Sequence, residues 1–255
     1  DFTAATNERT VALLKVHPSN FRIEGFTGVP SVAQLAQLAA GPELTPRGLL
    51  VLDDLGSGLL LDTPIPGLEH EPRVVESLQA GAHVTCFSGD KLLGGPQCGI
   101  LVGRKELIAR CRAHPLYRAL RCDKLTLAAL EATLFLYRDG EPQRSVPTLR
   151  MLTATPAELR QRSEQLAALL QDLDAQVTAS ESFAGAGANP ARALPSFAVA
   201  LRGGDAESRR LRAARPCAVF ARVADGKLLL DARTLVEEDL AALADTIRAA
   251  LQSPA

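Results

Sequence analysis

The sequence predicts an α/β domain with a largely parallel sheet, followed by a smaller α+β domain. Three observations carry that prediction. Short, nearly continuous apolar runs alternate with helix-periodic segments in the first part of the chain, the pattern of strands buried on both faces between crossover helices. Glycine-containing segments follow the second and third of these runs, and parallel sheets bind ligands beyond the carboxyl ends of their strands. Later, Asp225-Gly226 splits one apolar stretch, a hairpin signal because Asp-Gly readily supplies the positive φ angles of a tight turn.

Taken in order, the first strand is expected at 11–16, Val11-Ala-Leu-Leu-Lys-Val16, ended by His17-Pro-Ser-Asn20. Ser31 offers an N-cap, and Val32, Leu35 and Leu38 recur at helical spacing, which predicts a helix over 31–39 closed by Gly41-Pro42. The second strand is expected at 49–53, with acidic residues at its C-terminal end, and a helix over 71–80 stops at Gly81. Strands at 83–87 and 99–103 follow. After the segment 105–113, Leu127, Leu130, Leu134 and Tyr137 form an apolar stripe on a long helix over 125–137, broken by Asp139-Gly-Glu-Pro142. Beyond it come a helix over 156–173, a strand over 196–201, two strands within 217–230 and a C-terminal helix over 237–252. Gly185 to Asn189 reads as a mobile loop, and no internal repeat is visible.

The 255 residues, 47% of them hydrophobic, suffice for one large or two small domains with a real core and exclude disorder. A formal net charge of −1 gives no whole-chain attraction to polyanions. No apolar run approaches the ~18 residues of a membrane span. Five Cys without C-x-x-C spacing suggest neither a zinc site nor a disulfide framework, so a soluble cytoplasmic protein is expected. His17, His70, His83 and His114 show no metal-ligand spacing, and no Walker or G-x-G-x-x-G loop occurs. The chain starts at Asp1, and residues 1–10 supply neither a helix cap nor a strand, so a piece of a longer polypeptide is expected.

Of the 28 basic residues only five are lysines (Lys15, Lys91, Lys105, Lys124 and Lys227), so each can be weighed singly. Lys91 lies between a strand end and a Gly-Gly turn in Ser88-Gly-Asp-Lys-Leu-Leu-Gly-Gly95. An isolated loop lysine is ordinarily just solvated. Here, however, an amine at a strand end can be desolvated enough to form a Schiff base with a carbonyl. Ser88 can offer its hydroxyl to a phosphate, and the glycines let backbone N–H groups approach it. Asp54, 37 residues upstream in the neighbouring strand, can pair with a protonated pyridine nitrogen. Lysine, acid and serine together describe a pyridoxal phosphate site. Asp53 rivals Asp54 for the nitrogen, but alternation points the two opposite ways, and Asp54 lies nearer the glycine turn. Asp90 is either an acid/base or a loop cap. Arg118 and Arg121, three apart, would point one way on a helical turn and suit an oxyanion, although a solvated face is the ordinary state of such a pair. Cys98 is close enough to the lysine loop to act as a nucleophile, though a small packing residue is its commoner role.

Four stretches resemble bacterial selenocysteine synthases, the L-seryl-tRNA(Sec) selenium transferases. They are Leu14-Lys-Val-His-Pro-Ser-Asn-Phe-Arg-Ile-Glu-Gly-Phe26, Asp54-Leu-Gly-Ser-Gly58, Phe87-Ser-Gly-Asp-Lys-Leu-Leu-Gly-Gly-Pro-Gln97 and Arg118-Ala-Leu-Arg-Cys-Asp-Lys-Leu-Thr-Leu-Ala-Ala-Leu-Glu131. Pro147 to Leu152, Leu194 to Ser196 and Leu228 to Thr234 look like the same family, so the resemblance spans nearly the whole chain. It implies a fold-type I pyridoxal phosphate enzyme, with residues 1–140 as the C-terminal part of the cofactor-binding large domain and 141–255 as a small C-terminal α+β domain. Lys91 then matches the Schiff-base lysine, Asp54 the acid at the pyridine nitrogen, and Asp90 a catalytic-site acid. Arg118 and Arg121 match arginines that hold the anionic selenium donor. The implied reaction converts seryl-tRNA(Sec) to selenocysteyl-tRNA(Sec) through an aminoacrylyl intermediate, with selenophosphate as donor, in a homo-oligomer built from dimers.

The family's polypeptide is longer at its N-terminus, where the tRNA-contacting domain, the cofactor-stacking residue and part of the phosphate cup lie, so the chain alone is expected to be inactive. The loop over 182–192 also departs from the family's more glycine-rich pattern. Two other functions stay open at this level. One is a related pyridoxal phosphate lyase acting on a free small amino acid, against which Arg118 and Arg121 weigh. The other is a non-catalytic remnant serving in oligomerisation.

Overall fold

The computed structural model describes residues 1–18, 25–26, 28–41, 48–62, 65, 68–69, 71–184 and 193–252. The loop expected between Gly185 and Asn189 lies outside them. Contacts divide the chain into two compact units, the first built on Asp1–Arg150 and the second on Met151–Phe183 and Ala193–Ala255. No helix among the described residues is long and apolar enough to cross a membrane.

The first unit runs α1 (Phe2–Ala5), β1 (Ala12–Val16), α2 (Val32–Ala40), β2 (Leu50–Gly56), α3 (Val74–Gln79), β3 (Val84–Ser88), β4 (Gly99–Gly103), α4 (Lys105–Ala113), α5 (Pro115–Leu120), α6 (Lys124–Asp139) and α7 (Pro142–Ser145). Its sheet has the order β1-β2-β3-β4, with the first three strands parallel and β4 antiparallel to β3. This is the mostly parallel α/β sheet that the alternating pattern predicts. Ser31 caps α2 as expected: its hydroxyl accepts from the Gln34 N–H at 3.1 Å, and the Gln34 side chain accepts from the Ser31 N–H at 2.8 Å. Leu13, Val32, Leu35 and Val51 bury the α2 face against β1 and β2.

Among the boundaries that differ from the sequence expectation, two have a clear local reason. β2 continues past Asp53 because Asp54 still pairs in register with Val16 on one side and Cys86 on the other. α3 begins only at Val74, since the Arg73 N–H is taken by the Glu76 carboxylate at 2.9 Å, which makes Arg73 the N-cap.

α8 (Pro147–Thr153) follows, and the second unit continues with α9 (Pro156–Leu169), β5 (Gln176–Phe183), β6 (Ala193–Arg202), α10 (Asp205–Ala213), β7 (Arg222–Ala224), β8 (Lys227–Asp231) and α11 (Leu240–Gln252). The sheet is antiparallel throughout, in the order β5-β6-β8-β7. Asp225 and Gly226 turn the β7–β8 hairpin with φ of 50° and 70°, as their dipeptide predicts. Leu166, Leu170, Val199, Leu201, Leu211, Leu228 and Ile247 form one closed core between the sheet and its helices. The guanidinium of Arg233, buried in this unit, donates to the carbonyls of Met151, Ala154 and Pro195 at 2.7, 3.2 and 2.6 Å. Leu166→Ala should lower the unfolding free energy by about 2–5 kcal/mol in urea titration, the usual result of opening a cavity at a fully buried leucine.

Candidate active site

The site is built at the carboxyl ends of β2 and β3. Asp53 and Asp54 are consecutive on β2, so their side chains leave opposite faces of the sheet. Asp53 is 1% exposed and already committed. Its Oδ2 accepts from the Ser77 hydroxyl at 2.6 Å, Ser77 reaches the Thr85 hydroxyl at 2.8 Å, and Lys15 Nζ lies 3.5 Å from Oδ1. Asp54, on the other face, is only partly buried. Among the described residues no cation pairs with it. Cys86 on β3 is its register partner, and burial first, then the Asp54 carboxylate, push the Cys86 thiol up to about 11.

Past β2 the chain turns sharply through Gly56 and Gly58, whose φ angles are 68° and 74°. A Cβ on Gly58 would come within 2.8 Å of the Phe87 ring and of the Ser88 carbonyl, so only glycine lets this turn pass beneath the end of β3. Ser88 ends β3, half-buried, and buried Gly89 follows it.

The Lys91 loop is fixed on every side. The Gly95 N–H donates to the Gly89 carbonyl at 2.8 Å, and the Gly94 N–H to the Lys91 carbonyl at 3.0 Å, closing the loop on itself. The Leu92 N–H donates to the Ser57 carbonyl at 2.9 Å, tying the loop to the glycine turn that follows Asp54. Leu92 and Leu93 are both buried, and from α6 the Tyr137 hydroxyl donates to the Leu93 carbonyl at 2.9 Å. Burial pushes the Tyr137 phenol far above its usual range, so it stays a donor. Lys91 itself is half-buried and, among the described residues, has no carboxylate partner, while Asp90 beside it is exposed.

Asp54, Ser88, Asp90 and Lys91 are thus brought to one edge of one sheet, whereas Asp53, the rival acid, faces the other way with Ser77 and Lys15 as its partners. The thiol of Cys98 is raised by burial, then by Cys122 and Asp90, so Cys98 sits beside the loop as a protonated thiol. Arg118 lies on α5 and is exposed. Arg121 does not continue that helix: it is the residue that ends α5, in extended backbone with φ −61° and ψ 140°, its N–H on the Tyr117 carbonyl at 2.8 Å. The alignment expected of two arginines on one helical turn therefore does not apply, because the Asp123 carboxylate caps α6 through the Leu125 and Thr126 N–H groups and forces the chain to restart there.

Three histidines have structural partners. His83 Nδ1 accepts from the Val51 N–H at 2.9 Å, His114 Nδ1 from the Leu116 N–H at 3.2 Å, and His17 Nε2 lies 3.5 Å from Glu71. His70 lies outside the described residues. Among the described residues no group of three His, Cys, Asp or Glu side chains is arranged to hold a metal ion. Sequence reasoning missed the Tyr137 clamp, although Tyr137 ends the apolar stripe of α6, and it missed Cys86, whose only signal was its place in the strand beside Asp54.

The mostly parallel sheet, with a lysine loop and an acid at its carboxyl edge, defines the chain as a protein with the α/β fold of fold-type I pyridoxal phosphate enzymes. Among solved structures, D-glucosaminate-6-phosphate ammonia-lyase shares this fold, with a TM-score of 0.58 and 23% identity over 97% of this chain and 59% of that one. The SelA family, L-seryl-tRNA selenium transferase, matches residues 1–236, and the chain belongs to it. It is 48% identical over 99% of its length to the L-seryl-tRNA(Sec) selenium transferase of Solidesulfovibrio magneticus and 47% identical over 93% to that of Klebsiella pneumoniae. It spans 55% and 53% of those two relatives, about half their length.

Tyr137→Phe should destabilise the first unit by about 0.5–1.5 kcal/mol, the net worth of one hydrogen bond. Hydrogen exchange should show the 92–95 backbone opening more readily in this variant; unchanged protection there would rule out the clamp.

Proposed function

We propose that the chain supplies the lysine-bearing half of a pyridoxal phosphate-dependent selenocysteine synthase, which converts seryl-tRNA(Sec) to selenocysteyl-tRNA(Sec) with selenophosphate as selenium donor. The observation that carries this reading is the pairing of opposites at one sheet edge: an acid, Asp54, with no cation and a lysine, Lys91, with no anion among the described residues, on segments joined by the Leu92–Ser57 hydrogen bond. Those residues fit the cofactor, since a carboxylate suits a protonated ring nitrogen and a fixed amine suits an aldehyde. The relatives' names support the choice of substrate.

When bound, the cofactor supplies an electron sink for charge that develops at the substrate's Cα. Everything else falls to side chains. Lys91 Nζ is the group that would hold the cofactor's carbonyl carbon, and its free amine would take the proton from the seryl Cα. Asp54 would keep the ring nitrogen protonated through a charge-assisted hydrogen bond. Ser88 would offer its hydroxyl to the cofactor phosphate, and Asp90, beside Lys91, would relay the proton that Lys91 has taken to the departing seryl hydroxyl, which leaves as water. Arg118 and Arg121 hold the selenophosphate anion. Selenium would then bond to the β-carbon that lost its oxygen, the donor's Se–H proton returning to Cα through Lys91, and water would cleave the Se–P bond so that the donor's phosphate is released. In this reading the partners are seryl-tRNA(Sec) and further copies of the chain, in a homo-oligomer built from dimers.

Incubating the chain with pyridoxal phosphate, reducing with borohydride and mapping peptides should place the pyridoxyl group on Lys91. A label on any of the other four lysines instead would sink the assignment. For the donor site, replacing Arg118 and Arg121 together by Ala should weaken selenophosphate binding at least roughly tenfold, since each charged contact contributes ~1.5–3 kcal/mol. The pyridoxyl label on Lys91 should survive that change. Equal binding by the parent and the double variant, measured calorimetrically, would refute the donor role.

A further inference from the structure

The two acids of β2 are each answered by a side chain in register on β3. On one face Asp53 stands opposite Thr85, and Ser77 bridges the two through hydrogen bonds of 2.6 and 2.8 Å. On the other face Asp54 stands between Val16 of β1 and Cys86 of β3. Val16 has no hydrogen-bonding side-chain atom, so the half-buried thiol of Cys86 is the one polar side chain in register with Asp54. Parallel register partners share a face, and neighbouring strands lie about 4.8 Å apart. The thiol of Cys86 therefore stands beside the Asp54 carboxylate on the same face of the sheet.

We infer that Cys86 is a positioning residue for Asp54: its S–H donates to the carboxylate from the adjacent strand and holds it turned toward its own face of the sheet, where a protonated ring nitrogen would meet it. The inference rests on the reading of Asp54 given under Proposed function. A thiol suits the task. A carboxylate tethered by one bond loses less rotamer freedom when it engages a second partner. A thiol is also a weak donor, so it orients the group without neutralising it, whereas a lysine or arginine there would compete with the ring nitrogen. Burial and the Asp54 charge together keep the sulfur protonated at neutral pH.

The pairing can be read on the chain without any cofactor. Alkylation of Cys86 with iodoacetamide, followed by peptide mapping to separate it from the other four cysteines, reports its thiolate fraction as a function of pH. In D54N, an isosteric change, Cys86 should react several-fold faster at pH 9, since each unit of lowered pKa raises the thiolate fraction about tenfold. An unchanged rate in a folded D54N chain would overturn the inference. A second comparison avoids altering the acid. With pyridoxal phosphate bound, the pH profile of the cofactor's absorption band should be retained in Cys86→Ser, which keeps a donor, and displaced in Cys86→Val, which does not. Coincident profiles for the parent and the Val variant would equally overturn it. If the thiol responds to D54N but no pyridoxyl label forms at Lys91, the cofactor reading fails while the thiol–carboxylate pairing stands.

Discussion

A lysine can serve as a fixed chemical group only if its backbone cannot move, and in this chain that immobility comes from the two leucines after it. Leu92 and Leu93 are buried in the core beneath the sheet edge, which removes the hinge that a glycine-flanked loop would otherwise have. Their polar backbone atoms then need partners inside the protein, because a buried amide or carbonyl left unpaired costs about 1–3 kcal/mol. The Leu92 N–H finds the Ser57 carbonyl, and the Leu93 carbonyl finds the Tyr137 hydroxyl. Those two bonds transmit the rigidity of β2 and of α6 to Lys91. Gly94, at φ +73° and packed so closely that a Cβ would lie 2.4 Å from Val146 Cγ1, closes the loop where no other residue fits.

The same economy governs β2. Adjacent residues on a strand face opposite ways, so one dipeptide provides two acids in two environments. Asp53 meets Ser77 and Lys15 and helps to hold α3 and β1 to the sheet. Asp54 meets a thiol and an aliphatic side chain and is left with unspent charge. A shift of one residue in register would exchange the two and bury the uncompensated acid against α3. The ladder of β1, β2 and β3 therefore fixes the chemistry of the edge as firmly as it fixes the fold.

This explains which features can be seen without coordinates. Strands with continuous apolar runs, the Ser31 cap and the Asp225-Gly226 hairpin are local signals, and each matches an element. β5 was missed because Gln176–Phe183 is mostly polar and lies at an edge of its sheet, where only partial burial is needed. α10 was missed because its nine residues are mostly charged or alanine, and Leu211 is the sole aliphatic residue it buries. At the site, residue types and glycine spacing point to Asp54 and Lys91, since the chemistry demands those groups near strand ends. The break between Arg118 and Arg121 depends on a cap donated by Asp123 to the next helix, which an i,i+3 count alone does not register. The Tyr137 and Cys86 contacts span elements distant in sequence or side by side in the sheet, so no local pattern announces them.

α6 shows how the remaining surface is organised. Its inner side carries Leu130 and Tyr137 onto the core that includes Leu93, yet none of its residues is fully buried. Leu125 and Leu127 on the same helix, Leu116 and Leu120 on α5, and Leu101 on β4 are all at least half exposed. Scattered exposed leucines are ordinary, but five of them on β4, α5 and α6 leave a considerable apolar area uncovered. The second unit, by contrast, gathers Leu166, Leu170, Leu201, Leu211, Leu228, Leu230 and Leu240 into one core. α6 is thus attached by one side only, and the hydrogen bond from Tyr137 is a polar contact through which that side reaches the lysine loop. Whatever changes the seating of α6 is felt first at the Leu93 carbonyl, two residues from Lys91.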